Sequence, residues 1–432
     1  MKKLIIILLL LSICVCKADF TGGYGSPQGV LTNATKFNPR VSLLPRQIVS
    51  GTWFNNEYIE SLTNNAIRNV FYCPNDCFDP IVSFTGWSLN TPYGNIVPNG
   101  AIWFVNMTLE YPSNCFYTIT QNGNTNVMVS SLGTTFADPV AMYLPGGAIL
   151  GCRQWWFNTN GTALPFTHGY VANVTGLNQT NIGKEWSMRN LTNNVAYSMI
   201  YGGDGANNGN AYAVSPATIT GFSTNTVSVF VIGDSIAHSP NPNQGMGYHV
   251  SYVTEGLWGR YPYVMGACGG EWIESYSDTN NWQAYLLGLQ VCDIVYIHLG
   301  VNNIYNLDSF SNMTNKFSKL VLNLKAHGKR VIASDITPIS TSTDTWLTEA
   351  NQTAIDQNGR TNFNNWLYSQ PYGISVVRAG TSVESTNKPG CWRVDGVLST
   401  ANSGGGGLHP STYGITNYMS KALISASNYF KY

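Results

Sequence analysis

The sequence predicts an α/β protein: a doubly wound, three-layer α/β/α domain with a parallel sheet over about residues 226–432, preceded by a β-rich, sandwich or jelly-roll-like domain over 19–222. Three observations carry this. Continuous apolar runs such as VSVFVIGDS (227–235) and VCDIVYIHLG (291–300) lack polar alternation and are separated by helical patterns, as in a parallel sheet covered on both faces. Upstream of residue 222, short segments rich in Val, Phe, Tyr, Trp and Thr are punctuated by NG, GN, GG and PG, without a long helical period. The length of 432 residues and the 44% apolar content suffice for two cores.

Taken in chain order, residues 1–18 carry two lysines, an apolar run from Leu4 to Cys16, and small residues Cys16 and Ala18 before Asp19. They read as a secretory signal peptide, because the run is shorter than the ~20 residues of a spanning helix. The mature chain is therefore expected to lack a transmembrane segment and to be secreted, extracellular or surface-associated. In the β-rich half, AIWFVNMTLEY (101–111), CFYTIT (115–120) and NVMVSSL (126–132) read as strands. Beyond it, VSVFVIGDS is a strand, YHVSYVTEGLWGRY (248–261) a helix, YPYVMGACGG (261–270) a strand, NNWQAYLLGLQ (280–290) a helix and VCDIVYIHLG a strand. The clearest helix is 310–328, with Phe310, Met313, Phe317, Leu320 and Leu324 at helical spacing and Gly328 as its stop. RVIASDITPI (330–339), the segment 348–368, the short strand GISVVRAG (373–380) and a final helix from about 411 continue the alternation.

Charged residues make up 10% of the chain, 22 basic against 22 acidic, so no basic face is available to neutralise phosphates and nucleic acid is excluded as a partner. The signal takes two of the nine cysteines with it, leaving Cys73, Cys77, Cys115, Cys152, Cys268, Cys292 and Cys391. In an oxidising compartment disulfides are the default, with CPNDC (73–77) reading as a local bridge more than as half a zinc site, and with Cys268 or Cys292 left as the free thiol. Eight N-x-Ser/Thr sequons, at Asn33, Asn106, Asn160, Asn173, Asn178, Asn190, Asn312 and Asn351, are candidate glycosylation positions. The Trp155-Trp156 pair and nearby tyrosines read as core or as a sugar-stacking surface.

In a doubly wound sheet, ligands bind beyond the carboxyl ends of the strands. The first strand ends in GDS (233–235), the second in GACGGE (266–271), the third in GVNN (300–303), and GGLHPS (406–411) precedes the last helix. A serine, backbone-exposing glycines, an asparagine amide and a histidine are the parts of an acyl-transfer site. Singly, Ser235 is also a strand-end turn residue and Asn302 and Asn303 are loop formers. His168, His238, His249, His298 and His327 have no metal-like spacing, and His238 is placed to line a pocket at the serine.

These four blocks, in this order, resemble the SGNH or GDSL-type hydrolase family over roughly residues 226–432. The resemblance implies Ser235 as nucleophile, His409 as general base, and Gly270 (or Gly269) and Asn302 as oxyanion-hole donors beside the Ser235 N–H, with no cofactor and no metal. One position departs from it. The family places Asp three residues before the base histidine, and here that residue is Gly406 in a run of glycines. Three accounts stay open: a Ser-His dyad whose imidazole is oriented by a carbonyl, replacement of the acid by Asp395 of WRVDGV, or a site without turnover. Asp335 is a remoter substitute for the acid. The resulting expectation is a secreted serine esterase removing acetyl or other small acyl groups from carbohydrate, an acylated small molecule or glycan being its substrate. The two-domain plan is similar in outline to viral hemagglutinin-esterases and to bacterial carbohydrate esterases with accessory modules. The alternative is an inactive glycan-binding, attachment or surface protein that keeps the hydrolase fold.

Overall fold

The computed structural model describes residues 45–54, 59–60, 64–90, 95–98, 100–158, 164–165, 186–189, 192–202, 215–223, 227–238, 251–277 and 282–431. The signal peptide and the sequons at Asn33, Asn160, Asn173, Asn178 and Asn190 lie outside the described residues.

Two large sheets organise a mixed α/β structure. The larger, of 12 strands, runs from Val127–Val129 through Trp103–Glu110, Ala148–Phe157, Asn64–Cys73 and Ser50–Trp53 to Tyr263–Met265, Val229–Gly233, Ile294–His298, Arg330–Ser334 and Ser375–Val377. Pairing is antiparallel in its first part and parallel from Ser50–Trp53 onward. The parallel strands belong to apolar sequences because both faces are covered: VFVIG (229–233) and IVYIH (294–298) are buried at every position. Ser50–Trp53 adds itself to this parallel run by pairing with Tyr263–Met265, so hydrogen bonding continues across the sequence boundary near 222–226.

Within the parallel run, the strands of the 226–432 region stand in the order second, first, third, fourth, fifth. The order reverses beside Val229–Gly233, the kind of position at which doubly wound sheets bind ligands beyond their carboxyl ends. That places the GDS block at the switch point.

The helix Phe310–Ala326 shows how the sequence positions such elements. Ser309 caps it, its hydroxyl accepting the Asn312 N–H at 3.2 Å, an interaction typically worth ~1 kcal/mol. Met313, Phe317, Leu320, Val321 and Leu324 form its buried face, whereas Phe310 is exposed, being in the first turn beyond the core. Gly328 follows at φ 71° and ends the helix.

The smaller sheet has five strands, among them Cys77–Thr85 and Thr218–Phe222. The turn Pro74–Asp76 carries the chain from one sheet to the other. At its ends Cys73 and Cys77 are fully buried thiols with their sulfurs 2.8 Å apart. Cys268 and Cys292 are buried too, Cys292 directly after a helix (Trp282–Val291) and not within a strand. Among the sequons, Asn312 and Asn351 are exposed. Asn106 is buried, and its amide donates to the Thr125 carbonyl and the Asn126 side chain. Trp155 and Trp156 are both buried, which agrees with the core reading of that pair. No helix among the described residues is long and apolar enough to cross a membrane.

Candidate active site

Val229–Gly233 ends at a glycine for a steric reason. A Cβ on Gly233 would stand 2.6 Å from the Ala237 methyl and 2.8 Å from the His298 carbonyl oxygen. The next strand ends are laced to it: Cys268 N–H donates to the Gly233 carbonyl (3.0 Å), Asp234 N–H to the His298 carbonyl (3.1 Å), and the Tyr276 hydroxyl to the carbonyls of Gly233 and Gly266 (3.1 Å each). A short helix, Ser235–His238, starts at once, and Asp234 turns the chain into it by accepting the Ile236 N–H at 2.9 Å. Ser235 therefore emerges at the carboxyl edge, half-buried.

Ser235 Oγ lies 2.8 Å from His409 Nε2. That is hydrogen-bond distance between a hydroxyl and a base. The Asn302 amide donates to the Glu271 carbonyl at 2.7 Å, which ties the third strand's end to the segment holding Gly270. An amide NH₂ has a second hydrogen to offer. Gly270 is left-handed at φ 77°, a turn open to glycine, and a Cβ on Gly269 would meet nothing within 4 Å. Asn303 is a strut: it accepts the Ile273 N–H at 3.1 Å and donates to Glu274 and Asp308. His238 is buried edge-on against Trp53, and His298 receives or gives a 2.7 Å hydrogen bond with Tyr252.

Neither candidate acid reaches the base. Asp395 is bonded instead to Arg393 at 2.8 Å, to the Tyr413 hydroxyl at 3.0 Å and to the Tyr418 hydroxyl. Burial pushes its carboxyl up, but the Tyr418, Arg393 and Tyr413 hydrogen bonds outweigh it and hold it below the usual range. Asp335 is fully buried and accepts from the Gly380 N–H (2.6 Å), the Thr381 N–H (3.0 Å) and the Tyr368 hydroxyl (2.6 Å). His409 Nδ1 is buried without a hydrogen-bond partner. Burial lowers the imidazole's proton affinity, and the Gly405 carbonyl beside the ring acts in the opposite sense. Of the replacements for the acid, the geometry brings only that main-chain carbonyl to the histidine.

Asp234 has an unusual electrostatic position. Its carboxylate is completely buried, Oδ2 has no hydrogen-bond partner, and burial pushes its pKa up to about 7 against the pull of the helix's backbone N–H groups. Burial holds His298 down to about 3, so it is a neutral structural histidine. Among the described residues, no group of three or more His, Cys, Asp or Glu side chains is arranged to hold a metal ion.

Sequence reasoning missed Tyr276, at the carbonyls of Gly233 and Gly266, and Trp392, Ser340 and Gln352, the first two of which bond to the Gly407 carbonyl two residues before His409 and the third to Trp392 and Ser340. Their role depends on contacts between distant segments, and nothing in their local sequence signals it.

No family model matches the chain, and no curated protein matches it. Among solved structures, similarity extends to a carbohydrate acetylesterase family member from Sinorhizobium meliloti, at 12% identity and TM-score 0.32, over 48% of this chain and 99% of that one. An acetyl xylan esterase, AlAXEase, is similar at 16% identity and TM-score 0.34, over 46% of this chain and 99% of that one. A member of the lipolytic protein G-D-S-L family from Veillonella parvula is similar at 13% identity and TM-score 0.29, over 47% of this chain and 97% of that one.

Proposed function

We propose that this chain is a secreted serine ester hydrolase that removes acetyl or other small acyl groups from carbohydrate. In this reading the residues from about 226 to 432 form an SGNH-like α/β/α hydrolase unit and the β-rich region, 19–222, binds or positions the glycan. The observation that carries it is the 2.8 Å approach of Ser235 Oγ to His409 Nε2 at the carboxyl edge of the parallel sheet.

The chemistry follows from the parts. His409 Nε2 takes the hydroxyl proton as Ser235 Oγ attacks the ester carbonyl. The oxyanion is met by N–H donors of Ser235, Gly270 and the Asn302 amide, each such donor being worth ~10²- to 10³-fold in rate. Collapse expels the alcohol, to which His409 returns the proton, and water then repeats the sequence on the acyl-enzyme. The lone Nδ1 makes this a Ser-His dyad, with the Gly405 carbonyl as the orienting neighbour.

The test is hydrolysis of p-nitrophenyl acetate by the chain without residues 1–18, beside Ser235→Ala. Turnover that disappears in Ser235→Ala, with Ser235 labelled by a fluorophosphonate, is the expected result. The uncompensated Nδ1 favours a second reading, a glycan-binding or attachment protein that keeps the fold without turnover. Absence of both turnover and labelling, together with glycan retention, would decide for it.

A further inference from the structure

The missing carboxylate leaves a mechanical problem as well as an electrostatic one. Residues 404–407 are four consecutive glycines, the residues with most backbone freedom to lose, and His409 follows two positions later. An imidazole on such a segment needs an external anchor. The structure contains one on Gly407.

The Gly407 carbonyl accepts the Trp392 indole N–H at 2.8 Å and the Ser340 N–H at 3.3 Å. Gly407 itself is left-handed, at φ 74°, and a Cβ there would fall 1.9 Å from the Ser340 carbonyl oxygen and 2.4 Å from the Trp346 ring. The loop is thus pressed onto Ser340 and Trp346 at a position only glycine can occupy. Behind it lies a closed polar network. Gln352 accepts the Trp392 N–H at 2.8 Å and the Ser340 hydroxyl at 3.0 Å, and its amide donates to the Trp392 carbonyl at 2.9 Å. The Trp346 indole donates to the Ser340 hydroxyl at 3.1 Å. Ser340, Trp346, Gln352 and Trp392 are all buried, where such bonds are strongest and leaving one unmade is most costly. The loop's neck is closed separately, by Asn402 N–H on the His409 carbonyl (2.9 Å) and by Ser411 N–H on the Thr400 carbonyl (2.7 Å).

We infer that Trp392, held by Gln352, is a positioning residue for His409: it fixes Gly407 and so holds the main chain that carries the ring, beside the contact that the Gly405 carbonyl makes with the ring itself. The inference rests on the reading of Ser235 and His409 as an acyl-transfer pair. It divides the acid's two roles. Anchoring of the loop passes to the clamp, while the Gly405 carbonyl beside the ring is what remains to favour the charged imidazolium.

Trp392→Phe keeps an aromatic ring and removes the N–H together with part of the buried indole. Trp103→Phe is its control, because the Trp103 indole is buried with no hydrogen-bond partner. A catalytic group displaced by about 1 Å can lose on the order of 10²-fold in rate, so release of one of two anchoring bonds is expected to lower kcat roughly tenfold with KM unchanged within about twofold. Gln352→Ala, which frees the Trp392 backbone, is expected to act in the same direction. The His409 ring ¹⁵N signals should shift or broaden in both variants and stay put in Trp103→Phe. Wild-type kcat and ring signals in both Trp392→Phe and Gln352→Ala would overturn the inference. Where the wild type itself shows no turnover, the esterase reading fails, and the ring signals alone decide: a response to Trp392→Phe supports the clamp and none refutes it.

Discussion

The Asp395 carboxylate and the His409 imidazole are near neighbours in sequence but are served by different partners: Asp395 is held by Tyr413, Tyr418 and Arg393, and His409 Nε2 meets Ser235. On the proposed reading, this separates stability from catalysis in the segment 392–418. Removal of a true triad acid costs ~10⁴-fold when the tautomer goes wrong. Asp395→Asn is therefore expected to keep kcat within about threefold of wild type, while lowering the melting temperature by loosening the Tyr413 and Tyr418 hydroxyls. A fall of several orders of magnitude in kcat, at unchanged melting temperature, would return Asp395 to the role of acid.

On the proposed reading, His409 as base sets the pH dependence. Burial favours neutral imidazole at His409, more than the Gly405 carbonyl opposes it. The neutral form is the one that accepts the Ser235 proton, so activity is lost as pH falls through the His409 pKa. The acid limb of kcat/KM is expected below the ordinary imidazole value near 6.5, with a plateau at neutral pH. A limb centred above that value would contradict this account.

Gly406 invites the complementary experiment. It is left-handed at φ 60°, a conformation that Asp tolerates better than most residues, and a Cβ there meets nothing within 4 Å. Gly406→Asp is expected to raise kcat by roughly ten- to a hundredfold and to move the acid limb upward, since a carboxylate beside the ring favours its charged form. Unchanged kcat and an unmoved limb would show that the introduced side chain does not reach Nδ1.

Parts of this arrangement were legible in the sequence for identifiable reasons. Ser235 follows an apolar strand and His409 precedes the last helix, and the fold brings these two together, Ser235 Oγ standing 2.8 Å from His409 Nε2. Helix 310–326 was legible because its apolar residues repeat at helical spacing, although Phe310 falls outside its buried face. The parallel strand Ser50–Trp53 was not, because SGTW carries no apolar run and its partner lies some two hundred residues away. The contacts of Asp395 with Tyr413 and Tyr418, and of Trp392 with Gly407, have the same character: only the folded loop brings them together.

Cys73 and Cys77 offer a prediction independent of catalysis. Their sulfurs stand 2.8 Å apart at the turn where the chain crosses between the two sheets, closer than two unbonded sulfurs comfortably sit. In protein produced through an oxidising secretory pathway, a disulfide closing this turn is expected as an intact mass about 2 Da lower and a Cys73–Cys77 linked peptide under non-reducing digestion. Alkylation of both thiols without prior reduction would exclude it.

Asp234 supplies the last prediction, on stability. Its folded pKa of about 7 lies above the unfolded carboxylate value near 3.9, so the folded state binds the proton more tightly. By linkage, this contribution to stability is fully present below about pH 4 and is lost as pH rises to about 7. The loss between pH 5 and 7 is on the order of 2 kcal/mol, since each pKa unit corresponds to about 1.4 kcal/mol. Asp234→Asn removes the titration and keeps an oxygen for the Ile236 N–H. Urea unfolding at pH 5 and pH 8 should show the variant gaining on the wild type at the higher pH. An identical difference between the two proteins at both pH values would mean that Asp234 does not change protonation between them, and would overturn a folded pKa near 7.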